Sequence, residues 1–496
     1  MTTQKQFDVV VAGAGNAALS AALSAAEQGA SVAVLEKAPE YLRGGNSYFS
    51  GGLFRFVYNG IDDIMEVIPD ITENERENMD VGRYPHAKFY DDLMRVTEGL
   101  SDPDLAQVLI SRSLPTMKWL QKQGVRMVLA YGRQSFMHEG KYRFWGGLIV
   151  EAVGAGKGLS DQEFDIAERN GISIMYDTKA DKLHIDTQGD ITGITVRGPE
   201  GYYEIKTRSV VLACGGFEAN AEMRTRYLGQ GWELAKVRGT QFNTGDGIRM
   251  ALDIGAQSFG HWSGSHAVAW DMNAPPTGDR VIADLFQKHS YPFGLIVNVE
   301  GKRFVDEGAD LRNYTYAKYG KEILKQPQRV AFQLFDQKTK HLLRDEYFIP
   351  QASVVEANTF EELAEGMSID PEALAATVSE YNAAVQPGEY NPTVLDGKHT
   401  EGVEPPKSNW ALTLNEPPYM GYAVTCGLTF TFGGLKINPQ AQVLDTEDRP
   451  ILGLYAAGEL TGGIFYNNYP GGSGLTAGSV FGKIAGEGAG KRSSAR

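Results

Sequence analysis

Residues 7–36 read FDVVVAGAGNAALSAALSAAEQGASVAVLE, and this stretch limits the fold more than any other. Asp8 to Ala12 (DVVVA) is a short β-branched run, the composition of a strand buried on both faces. Gly13-Ala14-Gly15 then turns the chain, and an alanine-rich helix is expected from about Asn16 to Gln28, stopped by Gly29. A second strand, Ser31 to Leu35, ends at Glu36. Small residues in the turn let backbone N–H groups approach a pyrophosphate at the positive end of the helix. A terminal carboxylate is the acceptor that a ribose hydroxyl needs. Ala18, or Ala17 in another register, stands where a third glycine would fall, and either still permits close helix–strand packing. The unit therefore reads as dinucleotide-binding, with an ordinary tight-turned βαβ unit as the plainer alternative. An acid at position 36 argues against a 2′-phosphate on that ribose.

A chain of 496 residues exceeds one ordinary core, so two domains or more are expected. The formal charge of −15 and the absence of a basic run exclude nucleic acid as a partner. A small anionic substrate needs only a local basic pocket and stays open. Cys214 and Cys426 are too few for a disulfide framework or a metal cluster. The first strand begins within seven residues of Met1, so no signal peptide is expected. Apolar runs fall short of a membrane span, which makes a cytoplasmic location the default.

Further along, Arg43-Gly44-Gly45-Asn46-Ser47 and Ser50-Gly51-Gly52 make poor regular structure and a good backbone cradle. Residues 61–103 are polar and helical in pattern. Residues 131–147 (YGRQSFMHEGKYRFWGG) interleave aromatics, Trp145 included, with Arg133, His138, Lys141 and Arg143. This loop would suit a carboxylate or carbonyl compound, or simply pack as an aromatic surface loop. A helix and a short strand, Ser173 to Tyr176, come next, with further strands near 191–196 and 202–206. The buried run Ser209 to Ala213 closes on Cys214-Gly215-Gly216, where doubly wound sheets bind ligands. Asn243-Thr244-Gly245-Asp246-Gly247 opens a helix from Ile248 to Gly255. From 260 to 415 longer loops, prolines and aromatics suggest an inserted domain containing a helix from Pro371 to Val385. The chain then returns to the first domain through a strand pair from Gly427 to Asn438, with Gly433-Gly434 inside it. A strand, Gly453 to Ala457, and a final helix near Gly474-Leu475 follow. Only the last dozen residues look disordered.

Together the stretches GAGNAAL (13–19), RGGNS (43–47), LACGGF (212–217), TGDGIRMA (244–251), GKRFVDEGADLRNYTYAKYG (301–320), TFGGLKIN (431–438), LYAAGELTGG (454–463) and NYPGGSGL (468–475) carry a resemblance. The chain resembles the flavoprotein family of fumarate reductases, succinate dehydrogenases and 3-ketosteroid dehydrogenases. Its closest likeness within that family is to tricarballylate dehydrogenase-like proteins. The resemblance implies an α/β chain: a Rossmann-like FAD-binding domain from residues 1–259 and 416–496, capped by an inserted α+β substrate domain from 260–415.

The resemblance also implies FAD along Gly13, Gly15, Asn16 and Ala17, beside Glu36 and Lys37, and against Arg43, Gly44, Gly45, Asn46, Ser47, Gly51 and Gly52. Its further cofactor positions are Ala180, Ala213, Gly215, Gly216, Asn243 and Asp246, then Gly458, Glu459, Gly472, Ser473, Gly474 and Leu475. Covalent members attach flavin through a histidine after the acidic residue. Residues 43–52 hold none, so FAD is expected to be non-covalent.

The implied chemistry is gain or loss of two hydrogens across a carbon–carbon bond beside a carbonyl or carboxylate. Arg312 lies at or one residue beyond the catalytic arginine of fumarate reductases. Tyr314 and Tyr316 occupy the region of the ketosteroid dehydrogenase base. An arginine is hard to deprotonate, which leaves Arg312 to act on a carboxylate while a tyrosine or water moves the proton. Phe430 and Tyr469 stand where fumarate reductases carry a histidine and a substrate-clamping arginine. Tyr469, with the N–H groups of 472–473, matches instead the Tyr-Pro-Gly segment that binds a ketone oxygen. His266 approximately matches a substrate-binding histidine. The family's proton-relay residues have no clear match around Gln287 to Ser290. These departures point to dehydrogenation of a tricarballylate-like acid, or of a cyclic ketone or ketosteroid. An enoate reductase, or a flavoprotein subunit of an electron-transfer complex, is the alternative. The electron acceptor stays open among a quinone, an iron–sulfur partner and O2.

Overall fold

The computed structural model describes residues 5–144 and 146–494; Trp145, from the aromatic run, lies outside the described residues. Its first sheet runs in the order Ser173–Met175, Val32–Leu35, Val9–Ala12, Ser209–Leu212, Pro450–Ala456, Gln442–Leu444. The first five strands are parallel, and the last turns back antiparallel. Every residue of Val9–Ala12, Val32–Leu35 and Ser209–Leu212 is buried, as the unbroken apolar runs require.

Two helices, Asn16–Glu27 and Ser473–Ser494, lie side by side against this sheet. Their contact is made by glycines spaced four apart on the second helix. A Cβ on Gly482 would sit 2.4 Å from the Ala17 carbonyl oxygen, and one on Gly486 would sit 2.0 Å from that of Ala21. Close packing brings the two helix N-termini together: the Asn16 amide donates to the Leu475 carbonyl (2.9 Å), and Ser479 donates to Asn16 Oδ1 (2.8 Å). The final helix therefore runs on to Ser494, where sequence composition suggested a disordered tail.

A second sheet is centred on one long strand, Tyr419–Leu435, paired with Lys236–Val237, Ser258–Asp271, Ala331–Phe335 and Val354–Ala357. The expected strand pair from 427 to 438 is instead a single strand to Leu435. Gly433 and Gly434 admit close neighbours rather than a turn: their Cβ atoms would meet Trp262 Cα at 2.7 Å and the Leu460 carbonyl at 2.1 Å. The register places His266 opposite Phe430, a pairing the site depends on.

Other differences have local causes. Residues 131–147 are not a loop: a short helical turn, Tyr131–Gln134, leads into a hairpin of Ser135–His138 and Lys141–Phe144. Glu139 (φ 50°) and Gly140 (φ 78°) both take the left-handed conformation that a two-residue hairpin turn needs. The strand Lys179–Ile185 escaped notice because its few apolar residues, mainly Ala180 and Leu183, are scattered among lysines. The region 61–103 divides into Ile61–Met65, Glu73–Glu77 and His86–Val96, with a strand at Met79–Asp80.

Candidate active site

A single elongated cavity, about 1900 Å³ with its open mouth, runs from the Gly13–Gly15 turn to the second sheet. At one end Glu36 is 7% exposed, and its Oε1 accepts the Ala38 N–H at 2.7 Å. Burial pushes this carboxyl up, against the Ala38 N–H, to about 7. Lys37 does not offer a phosphate site there: its ammonium is held by Thr244 Oγ1 (2.6 Å) and Asp246 (2.8 Å). Burial pushes the Asp246 carboxyl up, but Lys179 and Lys37 outweigh it and leave it at about 2. Cys214, also on the wall, stays a neutral thiol because burial, with Asp246 nearby, pushes it up to about 12.

In its middle the cavity passes the N-termini of both packed helices. Gly13 can cross Ala213 only without a side chain, since a Cβ would lie 2.4 Å from the Ala213 oxygen. Below this point the fully buried Glu218 and the partly buried Glu459 share the Asn243 amide, at 2.6 and 3.4 Å. Thr431 N–H fixes Glu459 Oε1 at 2.9 Å, and Asn46 donates to Glu218 at 2.6 Å. Burial and the neighbouring Glu459 raise the Glu218 carboxyl well above its ordinary value.

These features fit a dinucleotide with its ribose at Glu36 and its pyrophosphate at the helix N-termini. Most expected cofactor positions line this cavity, from Gly15 and Ser47 to Asn243 and Leu475. Six residues stand back from it. The Arg43 guanidinium turns to Tyr176 (2.7 Å) and Glu168 (3.2 Å). Gly44 and Gly52 seat their loop on the helix Ala155–Arg169, where Cβ atoms would strike Ser160 and Ala155. Gly216 backs onto Glu459 and Thr431, and the Ser473 N–H and hydroxyl both bond the Pro470 carbonyl. Tyr314 is bound elsewhere, as its hydroxyl donates to Asp92 (2.7 Å) and accepts from Arg55 (3.2 Å).

At the far end Tyr316 and Tyr469 join hydroxyl to hydroxyl, both buried. The His266 ring packs on both, at 5.0 and 4.7 Å between centroids, and on Phe430 at 5.1 Å. Among the described residues neither nitrogen of His266 has a hydrogen-bond partner, and burial beside Arg238 keeps the ring neutral. Burial likewise pushes both tyrosines above their ordinary value, so both hydroxyls carry protons.

Arg312 reaches this end from the turn Arg312–Tyr314. It is 4% exposed, its Nε has no partner, and its Nη2 donates only to the Arg133 carbonyl at 3.4 Å. Among the described residues no carboxylate lies within ion-pair distance of it, so it is not a structural salt bridge. Burial lowers its pKa against the opposing pull of Tyr291 and Tyr316.

Sequence reasoning did not single out four residues found here. Asp284 takes Arg133 (2.7 Å), Arg238 and Gln287 (2.9 Å) on its two oxygens. His289 packs on Tyr316 at 4.9 Å. Arg238 and Arg344 both line the wall. Their positions, spread from 238 to 344, carry no spacing signal. Of the basic residues of 131–147, Arg133 lines the cavity. His138, Lys141 and Arg143 lie on the hairpin, where His138 and Arg143 approach Glu139.

A family model described as an FAD binding domain matches residues 8–475. The chain belongs to this flavoprotein family and is an FAD-dependent oxidoreductase acting on CH–CH groups. It is 30% identical over 494 residues to a probable fumarate reductase, Ifc3, of Shewanella frigidimarina, covering 97% of this chain and 74% of that one. It is 26% identical over 575 residues to 3-oxosteroid 1-dehydrogenase of Mycobacterium tuberculosis, covering 97% and 98%. The open conformation of a flavocytochrome c3 fumarate reductase superposes with a TM-score of 0.73 at 28% identity, covering 99% of this chain and 79% of that one. Among the described residues no helix is long and apolar enough to cross a membrane.

Proposed function

We propose that the chain transfers two hydrogens across a carbon–carbon bond α,β to a carboxylate or ketone of a small molecule, with dehydrogenation as the direction. One observation carries this reading: Arg312, lacking any carboxylate partner among the described residues, shares a cavity wall with the Tyr316–Tyr469 hydroxyl pair. Non-covalently bound FAD supplies the hydride-level chemistry at the β-carbon. The protein's own residues handle the oxygen and the proton. The Tyr469 hydroxyl, polarised by Tyr316, donates to the substrate carbonyl and stabilises the developing enolate. Arg312, a buried guanidinium with no carboxylate partner among the described residues, faces the substrate carboxylate, while a tyrosine or a water takes the α-proton. Neutral His266 and Phe430 close the wall against water. In this reading residues 260–415 form the lid over the site, and the substrate is a tricarballylate-like acid or a cyclic ketone.

Reduction of an enoate is the second reading. It is favoured by the two protonated tyrosines, which are set to give a proton rather than take one, and by the similarity to a named fumarate reductase. A panel of saturated acids and ketones, mixed anaerobically with the yellow protein, separates the two. Bleaching by a saturated member supports dehydrogenation, whereas reoxidation of reduced flavin by an enoate alone supports reduction.

A further inference from the structure

Four guanidinium groups line the inner end of the cavity, those of Arg133, Arg238, Arg312 and Arg344, and the carboxylate lining it with them is Asp284. Asp284 is already spent: Oδ2 takes Arg133 and Gln287, and Oδ1 takes Arg238. Arg133 has Glu151 as a second neighbour at 3.6 Å. That leaves Arg312 and Arg344. Among the described residues neither has a carboxylate within ion-pair distance, and the Arg344 side chain makes no hydrogen bond. Glu346 acts on Arg344 only at longer range. Burial beside Arg312 drags the Arg344 guanidinium down to about 9, which still leaves it charged at neutral pH. Two like charges held in a poorly solvated wall are costly until an anion joins them.

The backbone that carries Arg344 is also anchored before any ligand arrives. The Arg344 N–H donates to Ser290 Oγ at 3.2 Å, and the Tyr347 hydroxyl accepts the Ser290 N–H at 2.8 Å.

We infer that Arg344 is the specificity-determining clamp for a carboxylate of the substrate, so that the site selects a polycarboxylate or keto acid over an uncharged ketone. The carboxylate lies in the fork of Arg344, facing Arg312, while the oxygen beside the reacting bond meets Tyr469. This rests on the function proposed above, because it assumes that this cavity end receives the substrate.

Titration calorimetry and flavin difference spectra on the holoprotein, using succinate, propane-1,2,3-tricarboxylate and cyclohexanone as probes, test it. At least one acid is expected to bind saturably. The Arg344→Gln protein should bind that acid about 10–100-fold more weakly, the range set by losing a charge-assisted hydrogen bond. Its flavin content and melting temperature should match wild type, and Arg344→Lys should recover part of the affinity. If the Gln protein loses flavin, Arg344→Lys carries the test, and a measurable loss of acid affinity is expected from it. Equal acid affinity in wild type and variant overturns the clamp. So does binding and bleaching by cyclohexanone with no acid bound, a result that leaves the oxidoreductase reading standing. Arg344-dependent acid binding with no bleaching by any acid or ketone would do the reverse.

Discussion

The hydroxyl of Tyr316 is hydrogen-bonded to the hydroxyl of Tyr469, joining positions 153 residues apart. Each ring also packs against His266, neither nitrogen of which has a hydrogen-bond partner among the described residues. In the proposed reading, Tyr469→Phe removes the donor to substrate, and Tyr316→Phe removes its support. Both variants should keep flavin. Tyr469→Phe should slow flavin reduction by about 100-fold or more, and Tyr316→Phe by less, as rapid mixing would record.

Glu36 is the carboxylate proposed to take the ribose. Replacing it by Ala deletes a charge-assisted acceptor, worth about 1.5–3 kcal/mol, so FAD affinity should fall about 10–100-fold. Equilibrium titration of apoprotein with FAD measures this. Rates of flavin reduction in the fully loaded variant should stay near wild type.

Glu163 lies 1% exposed on the helix Ala155–Arg169 with neither oxygen partnered, and burial pushes it up to about 8. The folded chain therefore holds a proton that the unfolded chain releases above its ordinary value of 4.5. That stability is fully present below the ordinary value and is lost as pH rises through about 8, at up to about 1.4 kcal/mol per pH unit. Glu163→Gln should flatten the profile between pH 5 and 8, measured by urea unfolding.

Gly486→Ala tests the helix pair. Its methyl would enter the Ala21 carbonyl at 2.0 Å, so the helices must separate. A loss of about 1–3 kcal/mol is expected, read as a lower melting temperature, with FAD retained.

The βαβ unit was legible because its signal is local: Val9–Ala12 and Val32–Leu35 are buried on both faces, and glycines mark the turns. Helix Pro371–Ala384 and strand Ser209–Leu212 were readable for the same reason. The hairpin at 135–144 was not, because its turn, Glu139-Gly140, takes an unusual residue in a left-handed conformation. At the site, Arg312, Tyr316 and Tyr469 fell within recognisable motifs, whereas His266 was only an approximate match outside them. Tyr314 shares that motif, yet its place in the turn aims it at Asp92. Asp284, Arg238 and Arg344 meet only through tertiary folding, and isolated charged residues give no pattern to read.

Anaerobic rapid mixing of wild-type and Arg312→Gln holoprotein with the acid or ketone found by the panel tests the central claim most directly. Saturable bleaching in wild type, slowed about 100-fold or more in the variant at equal flavin content, is the expected result. Bleaching at the same rate in both proteins, or none with any saturated or unsaturated acid or ketone, would contradict it.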